Sequence, residues 1–264
     1  MIDLTHPRLF TPLSAAKLLP SRLGERSHAS LIERLLKQSS SPRCAVTGMP
    51  LPMSGGGVAV EFTSTKAAQA NKIRLGDLQL VDEWVFWSRH VEIALNEEQG
   101  SLIFMPWVSQ IELLTLARML HIGRQLAEEK GWGMMKETAN LHLEKLTLLG
   151  DDSLMINALG LPDELESWEP EEWLSAIRDL PMRDRKTYMQ KFGQHVRFLP
   201  SGTTEGSEQT IREWRHAYEL NGDPQETLSA SEAFYKDVMV KLKAYERDLE
   251  NQRNTQVAES GSSA

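Results

Sequence analysis

The sequence predicts an α+β, predominantly helical protein, and three observations predict it. Apolar residues recur three and four apart over much of the chain beyond Ser109, the spacing of one helix face. Stretches fit for strands are short and confined to 44–105 and to Val196–Phe198. The 264 residues are 41% hydrophobic and include one cysteine. That is enough for a packed core in one large or two small domains, and too little thiol for a disulfide framework.

Residues 1–26 read as an irregular N-terminal arm, punctuated by Pro7, Pro12, Pro20 and Gly24. A helix follows over 27–37, with Leu31, Ile32, Leu35 and Leu36 on one side. Thr47-Gly48 and Gly55-Gly56-Gly57 read as turns, and Val58–Phe62 as a strand. Residues 77–81 and 84–87 read as short extended pieces, and 101–105 is an apolar segment. Ser109-Gln-Ile-Glu112 is a capping box: the serine hydroxyl accepts from a backbone N–H in the first turn, and the glutamate reaches back to the cap. It opens the clearest helix, interrupted at Gly131 and Gly133. A second helical pattern runs over 134–149 and stops at Gly150.

Residues 151–200 read as short helices, with Pro170 at a first helical position and Gly193 as a stop, then an extended end at Val196–Phe198. The main α+β domain is therefore 27–200. Residues 201–207 are a Gly/Ser/Thr linker, and 208–252 form a C-terminal helical segment. Its last helix opens on the capping box Ser229–Glu232 and carries a narrow seam of Phe234, Val238, Leu242, Tyr245 and Leu249. Such a seam among charged residues is that of a coiled-coil or docking helix, so partner binding is expected of it, with packing on its own domain the alternative. Residues 253–264 have almost no apolar side chains and are expected to be a disordered tail.

The chemistry sought is missing. A net charge of −8 weighs against a dedicated nucleic-acid binder, which needs a basic surplus to displace counterions. One local patch, Arg183, Arg185, Lys186, Lys191, His195 and Arg197, is either a solvated helix face or a phosphate-binding surface. Gly55–Gly57 lacks the lysine of a phosphate loop. His90-Val-Glu92 begins a zinc-deaminase signature whose cysteine half is missing. Cys44 reads as a small buried thiol, and the seven tryptophans as core or interface anchors. No acid, base and nucleophile assemble, so no enzyme, cofactor or metal is expected. The apolar run at 102–108 is far too short to span a bilayer, and the start is not that of a secretory signal; both point to the cytoplasm.

Two stretches carry a family resemblance. Gly100-Ser-Leu-Ile-Phe-Met-Pro106-Trp-Val-Ser109-Gln110, leading into a leucine-rich helix with Arg118, is similar to the IcmJ (DotN) family of type IVB secretion and plasmid conjugation systems. Trp173–Pro181, the turn through Tyr188, and Val196-Arg-Phe-Leu-Pro200 resemble that family's C-terminal half. The likeness spans about 40–200, and the length of the chain fits the conjugation version better.

The resemblance implies a small β-rich HNH/treble-clef-like unit followed by helices. It also implies a non-catalytic cytoplasmic subunit, held at the inner face of the inner membrane through partners. Such a subunit binds the coupling ATPase and helps deliver substrate to the channel. The alternative is a nucleic-acid-binding accessory of plasmid transfer, using the HNH-like unit and Arg183, Arg185, Lys186, Lys191 and Arg197. The family's zinc cysteines are absent apart from Cys44, since Cys44-Ala-Val-Thr47 keeps only the first of its pair. A tetrahedral thiolate site cannot form from one thiolate, so packing of Trp84, Phe86 and Trp87 is expected to replace the metal.

Overall fold

The structure, a computed structural model, describes residues 29–64, 74–152, 192–202 and 207–221. It also describes isolated positions at 67, 155–156, 169–170, 172, 174, 179–181, 184, 240, 243–244 and 247. These residues form a mixed α+β, predominantly helical fold with two small antiparallel sheets. The N-terminal arm, most of 151–191, both the seam and its capping box, and the tail lie outside the described residues.

Helix α1 (29–36) lays Leu31, Ile32 and Leu35 on a hairpin of β1 (Val58–Phe62) and β2 (Leu78–Asp82). The strands pair antiparallel with Val60 opposite Leu80. Ahead of the hairpin, residues 43–50 make a tight turn. The Cys44 N–H donates to the Met49 carbonyl (2.8 Å) and the Gly48 N–H to that of Cys44 (2.9 Å). The Ala45 N–H then reaches the Leu80 carbonyl and ties the turn to β2.

β2 runs directly into α2 (Glu83–Arg89), so the extended reading of 84–87 is corrected to a helix. The cause is Asp82, whose Oδ1 accepts from the Val85 N–H (3.0 Å) and satisfies a donor that the first turn leaves open. Trp84, Val85 and Ser88 then fall on one buried side. A short α3 (Val91–Asn96) follows, in a stretch the sequence left without an element.

The second sheet pairs β3 (Gly100–Phe104) with β4 (Val196–Pro200), Ile103 opposite Arg197. Between them in sequence comes α4 (Gln110–Lys130), opened by Ser109 and Glu112 as a capping box. It closes at Gly131, whose φ of +70° is the left-handed C-cap conformation that favours glycine. α5 (Gly133–Thr147) packs back on α4 and ends in a 3-10 turn at Leu148–Gly150. Residues 192–195 are helical up to the edge of β4, so Gly193 continues a helix where the sequence suggested a stop.

α6 (Ser207–Asn221) buries Ile211, Trp214 and Ala217. Ser54 Oγ donates to Glu213 (2.6 Å), and Arg215 pairs with Glu129 of α4 (2.6 Å), so α6 belongs to the main body. The chain divides into two compact units, Met1–Asp223 and Pro224–Ala264. That boundary falls inside the stretch 208–252. In the second unit the described positions 240, 243–244 and 247 are helical, with Arg247 Nε donating to the Lys243 carbonyl (3.1 Å). Among the described residues no helix is long and apolar enough to cross a membrane.

Candidate functional site

The most unusual chemistry lies in the interior of the first unit. Asp82 ends β2 and Arg118 sits on the third turn of α4. Arg118 Nη2 meets Asp82 Oδ1 at 2.6 Å, and each side chain is 1% exposed. Removing two charges from water costs several kcal/mol apiece, so this pair persists only because its surroundings are arranged for it. The guanidinium carbon lies 4.4 Å from the Trp214 ring centre and 5.8 Å from that of Trp84. The two indoles meet edge to face at 4.8 Å. Ring faces carry negative charge and stabilise a buried cation. Arg118 Nη1 also donates to Met49 Sδ, from the turn ahead of the hairpin.

Cys44 stands beside this pair. Its Sγ accepts from the backbone N–H groups of Thr47 and Asp82, both at 3.5 Å. Burial, and then the charge of Asp82, push its thiol above the ordinary value. A buried neutral thiol is a poor nucleophile, so Cys44 fills space and accepts weak hydrogen bonds. A partly buried pair, Arg89 with Glu61, joins α2 to β1, with His90 Nε2 at 3.7 Å from the same carboxylate.

One turn beyond Arg118, His121 packs edge-on against Trp84, with ring centres 5.5 Å apart. It is 2% exposed, and burial together with the Arg124 charge lowers its pKa to about 3. It is therefore a neutral ring at physiological pH. His121 borders a cleft of about 550 Å³ whose walls include Arg124, Glu98, Ser101 and Glu144. Both ring nitrogens are themselves shielded from solvent and have no hydrogen-bond partner among the described residues. A general base must reach the proton it removes, and this imidazole is covered.

The family likeness raises the question of zinc, and the residues present do not fit it. Cys44 is the only cysteine. Thr47 stands at the partner position and contributes its N–H. Asp82 Oδ1 is committed to a helix cap and to Arg118, which leaves Oδ2 as a single carboxylate oxygen. Among the described residues no three His, Cys, Asp or Glu side chains gather to hold a metal.

The expected packing of Trp84, Phe86 and Trp87 is corrected in part. Trp84 is buried at this centre. Phe86 and Trp87 meet edge to face at 5.1 Å, half-buried, and Arg118 takes the central place they were expected to share.

Of the basic patch, Arg183, Arg185, Lys186 and Lys191 lie outside the described residues. Arg197 is 5% exposed. Its Nε donates to the Val108 carbonyl (2.6 Å) and its Nη1 to those of Gly193 and Val196 (2.7 Å each). Burial lowers its pKa to about 10, which leaves it charged at neutral pH. It braces β4 from within and is withdrawn from any phosphate. His195 is half-buried and stacked on Phe104 at 5.9 Å. The seam residues Phe234, Val238, Leu242, Tyr245 and Leu249 are all outside the described residues.

Sequence reading missed Asp82, Met49 and Trp214 as members of the centre. One signal existed: an Asp directly after an apolar stretch and three residues before Val85 is an N-cap pattern. Fold and centre together define a class, an α+β, predominantly helical protein assembled around a buried guanidinium–carboxylate pair. No family model matches the chain, and no curated protein matches it.

Proposed function

We propose that the chain is a non-catalytic subunit of a type IVB conjugation or secretion apparatus, one that binds the coupling ATPase complex and helps deliver substrate to the channel. One observation carries this reading: the first stretch that resembles the IcmJ family meets Val196–Pro200, the described end of the second, in space. Strand Gly100–Phe104 pairs with Val196–Pro200. Gln110, which follows the capping serine, bonds the backbone of Phe198, 88 positions away. Arg197 of the second stretch bonds the Val108 carbonyl of the first. Two accidental likenesses have no reason to be neighbours, whereas two parts of one inherited unit do. The order of turn, hairpin and helix over 43–89 also accords with the β-rich unit that the likeness implies.

Affinity purification from cells carrying a complete transfer system tests the proposal, and the coupling ATPase is expected to co-purify. Its absence from a preparation that retains other subunits would refute the reading. Removing residues 229–264 then tests the seam. A folded truncated chain that loses the complex supports docking through Phe234, Val238, Leu242, Tyr245 and Leu249. Aggregation supports a seam that covers its own domain.

A further inference from the structure

We infer that the turn–hairpin–helix unit is held together without a metal ion, by the Asp82–Arg118 pair enclosed between Trp84, Trp214 and Met49. A structural zinc does two things. It cross-links segments distant in sequence, and it supplies the positive charge that thiolate or carboxylate ligands require. Arg118 does both from α4, an element outside the unit. Its Nη2 meets Asp82 at the junction of β2 and α2, and its Nη1 meets Met49 at the end of the Cys44 turn. The two segments a metal would join, the Cys44 turn and the junction of β2 and α2, are thus joined through one guanidinium.

The donors that remain are too few for a metal: Asp82 Oδ2 is buried without a hydrogen-bond partner among the described residues, but no three His, Cys, Asp or Glu side chains gather there, and a structural zinc takes four ligands. Cys44 Sγ faces two backbone N–H groups, whose hydrogens occupy the directions a cation would take. Asp82 Oδ1 accepts from the Val85 N–H as well as meeting Arg118. A divalent ion there would also stand close to the positive charge of Arg118. The inference is independent of any role in transfer, so a failed co-purification leaves it untouched and its own failure leaves that role untouched.

The test uses the full chain, purified without a metal-binding tag. Elemental analysis is expected to find far less than one zinc per chain, and thermal melting to be unchanged by excess EDTA. Arg118→Met leaves Asp82 as a lone buried charge and is expected to lower Tm by roughly 10 °C. Adding Asp82→Asn, which keeps a helix-capping side chain, removes that lone charge, and the double variant is expected to melt above Arg118→Met. Cys44→Ala removes the only thiol and is expected to shift Tm by much less. One zinc per chain, a fall in Tm on chelation, or an unchanged Tm in Arg118→Met would each overturn the inference. If Arg118→Met does not fold, zinc content and the chelator response of the unaltered chain still decide it.

Discussion

The side-chain amide of Gln110 bonds both backbone groups of Phe198: Nε2 donates to the carbonyl at 2.7 Å, and the Phe198 N–H donates to Oε1 at 2.8 Å. β3 takes the alternate residues of β4, as an antiparallel ladder requires, so Gln110 serves the opposite edge like a strand one residue long. Gln110→Leu leaves a buried N–H and C=O without partners. It is expected to cost about 2–4 kcal/mol, read as a lower urea midpoint at unchanged slope. Gln110→Glu is expected to recover little at neutral pH, because a carboxylate accepts from the N–H but repels the carbonyl.

Stability is expected to fall as pH drops below the ordinary histidine value. His121 has its pKa lowered to about 3, so between there and about 6.5 the unfolded chain binds a proton that the folded one refuses. The stabilisation is complete above that window and is lost through it at up to about 1.4 kcal/mol per pH unit. His121→Leu removes the group. Urea unfolding from pH 7 to pH 4 is expected to show a shallower decline in this variant than in the unaltered chain.

Gly202→Ala is expected to be strongly destabilising for two separate reasons. Gly202 has a φ of +60°, and a methyl group there would fall on the His121 ring. The backbone strain alone is on the order of 1–2 kcal/mol, and the overlap adds to it. A double variant with His121→Ala is expected to recover the overlap but not the strain, which separates the two contributions in thermal melts.

Ser109→Ala is expected to cost about 1 kcal/mol through loss of the α4 cap, where Ser109 Oγ accepts from the Glu112 N–H at 3.2 Å. Ser101→Ala, an exposed serine on β3, is the control and is expected to change stability by less than about 0.5 kcal/mol. Equal effects of the two in chemical denaturation would contradict the assigned cap.

The elements read well from sequence share a property: their signals are local. The capping box of α4 places both partners within three residues, and Gly131 supplies its own left-handed stop. The strand at 58–62 was bounded by glycines on one side, and its span is unchanged in the fold. The misread helix α2 shows the converse. Trp84-Val-Phe-Trp87 has the aromatic and β-branched composition of a strand, and that intrinsic preference is weak enough for context to reverse it. Asp82 caps it, and burial of Trp84 beside Trp214 and Arg118 rewards the helical form.

The same division applies to the candidate site. Sequence by itself determined the fold class, the bounds of α4, and Cys44 as a buried thiol, because composition, periodicity and short-range hydrogen bonds suffice for those. Only the tertiary structure decided that Arg118 pairs with Asp82 and that Arg197 turns inward toward Val108, 89 positions away. An arginine's place depends on whether distant carboxylates, carbonyls and ring faces converge to replace its water. That convergence is a property of the folded chain and leaves no local pattern beside the arginine itself.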